Sequence, residues 1–322
     1  MCTESGHLFT SRAQGQRHHI RFLAGVFLFL FTSLAQSAVW QHERGQLVLE
    51  GAPERIVTLN WAATESLLML GVNPIGVADR DDYPIWVQQP VLPAGSYDVG
   101  ARRSPSLEAI AELKPDLILA SGQLVPAWDL LDSIAPTYVM SIYDDGARPF
   151  ERARTLLLTL GNILEREDRA RAELRELDEI MLENRGRLEA AGLTGKPIAL
   201  VNFLDDRHVR INAPNGIFQA ALEGLGLDNA WQKPGNFWGF STVGLEALAA
   251  QPDVRIVVIS PTAPGLAGQL SSSPFWTHLP AVRQGEVYQV EPVWAYGGVG
   301  AVKRLAVLLT ETLLAGGQTN VR

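Results

Sequence analysis

From Arg55 onward, short apolar runs alternate with segments of helical spacing. "RIVTLN" (55–60) reads as a buried strand, and "AATESLLML" (62–70) has helical spacing that stops at Gly71, a residue suited to a helix C-cap. "PIGVAD" (74–79) is a second short strand. "SPSLEAIAELKPDLILAS" (104–121) is a serine-capped helix, a proline and a strand, and "APTYVMSI" (135–142) is another strand. A long charged stretch of helical period then runs from Ala147 to Gly192, with a weak point at Gly161–Asn162 and a predicted break near Leu164. After Gly195 the alternation restarts with "PIALVNF", "VRIN", the helix "GIFQAALEGLG" and "NFWGFSTVGLEALAAQPDVRIVVI" (236–259). "EVYQVE" and a last helix, "VGAVKRLAVLLTETLLAG", close the chain. Strands alternating with helices predict mostly parallel sheets covered by helices. The predicted organisation is therefore a head over 1–38, an N-terminal α/β lobe over 39–146, an interdomain helix over 147–168 and a C-terminal α/β lobe over 169–322.

The head places the protein. Arg12, Arg17, His18, His19 and Arg21 precede the uncharged run "FLAGVFLFLFTSLA" (22–35), and small residues follow. This is the layout of a secretory signal peptide, with cleavage after Ala35, Ser37 or Ala38. The apolar run is shorter than the roughly 20 residues a membrane span needs. The single cysteine, Cys2, lies inside the head, so the remaining chain holds itself by core burial without disulfides. The head carries three arginines and one glutamate, so without it the formal charge moves from −8 to −10. An acidic surface argues against nucleic acid or anionic lipid as the main partner.

An internal echo links the halves. "SLEAIAELKPDLILA" (106–120) resembles "GLEALAAQPDVRIVVI" (244–259), each with a cap candidate four residues before its glutamate, Ser104 and Thr242. Glu108 and Glu246 then both project from a first helical turn.

No motif nominates an enzyme. Phosphate loops of the GxxxxGK[ST] type, GxSxG elbows, HExxH and CxxC are missing, and His42, His208 and His278 stand far apart. No catalytic residue and no metal ligand is predicted. The aromatics are the stronger signal. Trp61, Trp86, Trp231, Trp238, Trp294, Phe237, Phe240 and Tyr296 fall at predicted strand ends or loops, where ligand sites of two-lobed α/β proteins form. Arg102 and Arg103 follow "YDVGA" in such a loop, and a guanidinium is a rigid fork of five donors for clustered oxygens.

These motifs carry a resemblance. "RIVTLNW", "ESLLMLG", "YPIWV", "DVGARRSPSLE", "KPDLIL", "DDRHVRINAPNGIFQ", "NAWQ", "NFWG" and "PVWAYG" make the chain similar to the periplasmic iron-siderophore binding proteins of ABC importers, from about Pro53 to the last helix. "NAWQ", "NFWG" and "PVWAYG" resemble the ferric-hydroxamate (ferrichrome) group in particular. The resemblance implies two Rossmann-like lobes joined by one long rigid helix, the class III, helical-backbone type of periplasmic binding protein. It implies that Arg102 bonds the iron-chelating oxygens, that Trp238, Trp294 and Tyr296 line the pocket, and that Trp61, Trp86 and Trp231 are pocket-side aromatics. It also implies that Glu108 and Glu246 dock on an inner-membrane ABC permease, and that the protein works in the periplasm as a monomer. The ligand would be a ferric siderophore whose iron is already chelated, so no cofactor or protein metal ligand is implied. Leu124 stands near the family's pocket tyrosine, Arg210 at an apolar pocket position, and Phe240 with Ser241 where a small polar residue follows "FWG". These departures leave open the same scaffold with a carboxylate-type siderophore, haem or a cobalamin.

Overall fold

The structure, a computed structural model, describes residues 38–144, 148–317 and 321. The signal-peptide assignment, apart from Ala38, and the 146/147 boundary lie outside the described residues. Two five-stranded sheets organise the chain. The first is wholly parallel, in the order Tyr97–Asp98, Gly76–Val77, Ile56–Thr58, Leu117–Ala120, Thr137–Val139. The second is mixed. Ile198–Phe203, Arg255–Ile259 and Val287–Val290 run parallel, and His208–Asn212 then Phe240–Gly244 continue the sheet antiparallel from Ile198–Phe203. The central strands are buried on both faces, as the unbroken apolar runs "LILA" and "IVVI" require.

The helix Trp61–Met69 starts at Asn60, whose side chain accepts from the Ala62 amide. It is buried nearly all round, which is why its apolar positions lack a single polar face. The charged stretch after residue 147 forms two helices, Pro149–Ile163 and Glu167–Ala190, with Leu164 ending the first. The helix Pro149–Ile163 does not stand alone as a connector. It packs on Trp61–Met69, on Glu167–Ala190 and on the last helix, Val299–Ala315. Leu67, Leu157, Leu177 and Leu305, one from each helix, belong to a single apolar core that also reaches both sheets.

Two local expectations change. The glutamate-bearing helix of the first half is capped by Ser106, which accepts from the Ala109 amide at 3.2 Å. Ser104 instead pairs within the short ladder formed by Gly100–Ala101 and Ser104–Pro105. Thr242 lies in the strand Phe240–Gly244, and the helix after it, Glu246–Ala249, is one turn without a side-chain cap. A hairpin, Ala38–His42 with Gly45–Leu49, precedes the first sheet. It buries Leu47 and Leu49 in the shared core, and Trp40 donates to Asn162 Oδ1 at 2.6 Å.

Glu65 joins the halves. Its carboxyl is fully buried, and Oε2 accepts from the Gly298 amide at 2.7 Å, at the start of the last helix. A Cβ at Gly297 would lie 2.6 Å from Glu65 Oε1, and one at Gly298 would lie 3.3 Å from the Ala62 carbonyl, so glycine is what permits this approach. Burial pushes the Glu65 pKa up from 4.5 to about 8, against the opposing effect of the Gly298 and Ala301 amides. The folded protein thus keeps a proton that the unfolded chain releases near pH 4.5. Folding stability from this group falls as pH rises between those two values, by about 1.4 kcal/mol per unit, and is level above them. Glu65→Gln keeps an acceptor for Gly298 and removes the titration. Urea unfolding at pH 5, 7 and 8.5 should show the variant gaining on the parent as pH rises. A pH-independent difference would contradict the assignment.

Candidate functional site

The turn "NFWG" shows how local chemistry sets an aromatic wall. Asn236 Oδ1 accepts from the Trp238 amide at 3.0 Å, and the Gly239 amide donates to the Asn236 carbonyl at 2.9 Å. Gly239 has φ +74° and its Cα faces Gly216, where a Cβ would sit 2.3 Å from the Gly216 Cα. Only glycine fits both demands. The turn is further tied by Asn215, which donates to the Asn236 carbonyl and accepts from the Gly235 amide. The result is a fixed turn that leaves Phe237 exposed and Trp238 half-buried.

Trp238 is one ring in a series of edge-to-face contacts. Its ring lies 5.4 Å from Tyr296, Tyr296 lies 5.0 Å from Trp294, and Trp294 lies 4.9 Å from Trp61. Tyr143 branches off, 5.9 Å from both Trp238 and Tyr296. Such contacts prefer this tilted geometry, and each adds about 0.5–1.5 kcal/mol beyond buried area. Trp61, Trp238, Trp294 and Tyr296 line a cavity of about 680 Å³, together with Asn60, Asp79, Arg102, Arg103 and Gln123.

Arg102 is held from two sides. Its Nε donates to Asp79 Oδ2 at 2.7 Å, and its backbone amide donates to the same oxygen at 3.2 Å. Its guanidinium carbon lies 3.5 Å from the Trp61 ring centre and 4.8 Å from that of Trp294. Asp79 can do this because its backbone is left-handed, φ +48°, with its amide bonded to the Gly100 carbonyl. One edge of the guanidinium is thereby fixed, and its terminal nitrogens form no hydrogen bond or ion pair among the described residues. They are donors in search of acceptors, on the wall of an aromatic cavity.

The other expected site residues fall in three places. Trp86 lies outside the cavity lining, with its ring 6.0 Å from Trp294. Trp231 does not line the cleft: it packs in the core of the second sheet, where its apolar ring is covered, and its Nε1 donates to Ser241 Oγ at 3.2 Å. Arg210, Phe240 and Ser241 sit on the paired strands His208–Asn212 and Phe240–Gly244, also outside the lining of either cavity described below. Arg210 stacks over Phe240 at 4.9 Å, and its charge opposes the upward pull that burial exerts on the Tyr296 hydroxyl. Glu108 and Glu246 are exposed in the first turns of their helices. Leu124 is buried in core, and the neighbouring Gln123 reaches the cavity instead.

Tyr143 was not anticipated. Its hydroxyl donates to the Ala295 carbonyl at 2.8 Å and accepts from the Ile217 amide at 3.1 Å. It thereby ties the segments behind Trp294, Tyr296 and Trp238, and burial holds its hydroxyl protonated. The only signal was its place after the strand "TYVMSI". Among the described residues, no group of three or more His, Cys, Asp or Glu is placed to hold a metal ion.

The sequence profile of the periplasmic binding protein family matches residues 56–293. The chain belongs to that family. It is 34% identical over 269 residues to the iron(3+)-hydroxamate-binding protein FhuD of Escherichia coli, covering 83% of this chain and 90% of that protein. It is 28% identical over 299 residues to the Fe(3+) dicitrate-binding periplasmic protein FecB of the same organism, covering 89% and 93%. Among solved structures, the siderophore-binding protein FhuD of Vibrio cholerae bound to Fe3+-Desferal superposes with a TM-score of 0.77 at 32% identity, covering 82% of this chain and 99% of that one.

Tyr143→Phe should leave the Ile217 amide and the Ala295 carbonyl unpaired in a buried place, at a cost of about 1–3 kcal/mol. Denaturant unfolding with an unchanged slope and a lower midpoint is the expected result. An unchanged midpoint would show that the bridge does not hold these segments.

Proposed function

We propose that this protein captures iron(III)-hydroxamate siderophores in the cleft at Arg102 and delivers them to an inner-membrane ABC permease. The observation that carries the reading is the half-satisfied Arg102 on an aromatic wall, in a family member whose relatives include hydroxamate binders. A ferric tris-hydroxamate has its iron fully chelated by oxygens. It needs no protein ligand to the metal, only donors for the chelating oxygens and a surface for its backbone. Arg102 supplies the donors, and Trp61, Trp238, Trp294 and Tyr296 supply large contact area with little side-chain entropy to lose.

Arrival in the periplasm would follow from the signal-peptide layout of the first 38 residues. Among the described residues no helix is long and apolar enough to cross a membrane. The exposed Glu108 and Glu246, one in each half, are the docking carboxylates of the reading, and the protein acts as a monomer without a resident cofactor. A second reading, a carboxylate-rich ferric chelate, is favoured by Arg103, which lines the cavity and has no ion pair among the described residues.

Arg102→Ala should weaken ferrichrome binding at least about tenfold by calorimetry, since a charge-assisted hydrogen bond is worth about 1.5–3 kcal/mol. Unchanged affinity in a folded variant would remove Arg102 from the site. Glu108→Arg combined with Glu246→Arg should abolish siderophore-dependent growth and leave ligand affinity intact. Normal uptake by that variant would show that docking uses another surface.

A further inference from the structure

The cleft does not end at Arg102. A second cavity of about 390 Å³ shares Asn60, Ser121, Gln123, Trp238 and Tyr296 with the first, so the two are compartments of one space. Their charged walls differ in sign. Asp79, Arg102 and Arg103 line the first, two cations against one carboxylate. Glu43 and Asp144 line the second.

Glu43 reaches this wall from the turn of the N-terminal hairpin, outside the residues matched by the family profile. Its carboxylate accepts from the Ser141 amide at 2.6 Å and the Ser141 hydroxyl at 3.0 Å. Arg152, from the helix Pro149–Ile163, contacts Glu43 at 2.5 Å and Asp144 at 2.7 Å. Two carboxylates share that one guanidinium. The next cation along the chain, Arg44, lies over the Trp128 ring at 5.3 Å. Burial lowers the pKa of His42, so it adds little charge near neutral pH. Both carboxylates remain reachable, with side-chain exposures of 29% and 38%. Tyr143, Phe237, Trp238 and Tyr296 line the same compartment. Carboxylates beside aromatic rings make a setting for a cation, which gains from both the charge and the ring faces.

We propose that the second compartment is a subsite for a pendant ammonium group, so that the cleft selects ferric hydroxamates carrying a primary amine. The inference rests on the hydroxamate reading and narrows its substrate class. The chelate oxygens face Arg102, and the amine extends past Trp238 and Tyr296 toward Glu43 and Asp144. Glu43 and Asp144 are thus specificity determinants, brought together on one wall by two segments distant in sequence.

The test compares ferrioxamine B with its N-acetylated form, which has the same iron chelate and lacks the ammonium. Tryptophan quenching should show the wild type binding ferrioxamine B at least about threefold tighter, as expected for a cation at a partly exposed aromatic and acidic site. Glu43→Gln should bring the ratio of the two affinities close to one, and Asp144→Asn serves the same purpose if the first variant melts early by circular dichroism. Equal affinities in the wild type, or a ratio that survives both substitutions, would overturn the subsite. Silence with both chelates would overturn the hydroxamate reading itself, an outcome distinct from equal binding.

Discussion

Everything in the cleft depends on how the segment Trp294–Gly298 is pinned to the helix Trp61–Met69. The pin has a polar end and an apolar end. Glu65 accepts from the Gly298 amide in a fully buried place, and Trp61 meets Trp294 edge to face at 4.9 Å. One segment comes from the first α/β half and the other from the second. Because their contact is buried, neither can shift without exposing a carboxyl-bearing core or leaving amides unpaired. The helices Pro149–Ile163 and Glu167–Ala190 extend the same apolar core, so the halves share one interior. Large hinge closure would have to break it, and small adjustments of the cleft walls are what the packing allows.

From that constraint the chemistry of the site follows. Trp294 is held by Trp61, and Arg102 is held over both by Asp79. The guanidinium therefore presents its unused donors in a set direction, without paying rotamer entropy when a ligand arrives. In the same cavity, Trp238 stands on a turn that glycine and asparagine lock in place. The walls are preorganised, aromatic and sparsely polar, which suits a compact chelate with an oxygen surface better than a reaction that moves protons.

Much of this architecture was legible in the residue pattern. The parallel strands carry the unbroken apolar runs "LILA" and "IVVI", and the helix break at Leu164 follows the weak point at Gly161–Asn162. Trp61, Trp238, Trp294, Tyr296 and Arg102 meet in the cleft, as their loop and strand-end positions suggested. What was not legible depends on long-range packing. Trp231 has the same sequence setting as Trp238, but its ring is covered by the second sheet's core. The strand Phe240–Gly244 was hidden because "FSTVG" is an edge strand without a clear alternation. Tyr143 and Glu43 enter the site through contacts with residues far away in the chain, which no local spacing encodes. The cap at Ser106 in place of Ser104 is a smaller case, where a two-residue ladder claimed the earlier serine.

The central claim is that this cleft holds a ferric hydroxamate against Arg102 and the tryptophans. The most direct measurement is a fluorescence titration of the protein, without its first 38 residues, with ferrichrome and ferrioxamine B, using ferric citrate and haem as controls. Trp61, Trp238 and Trp294 line the cavity, so an iron chelate bound there should quench the emission strongly and saturably at micromolar concentrations or below. Quenching by haem or ferric citrate, with none from either hydroxamate, would contradict the account.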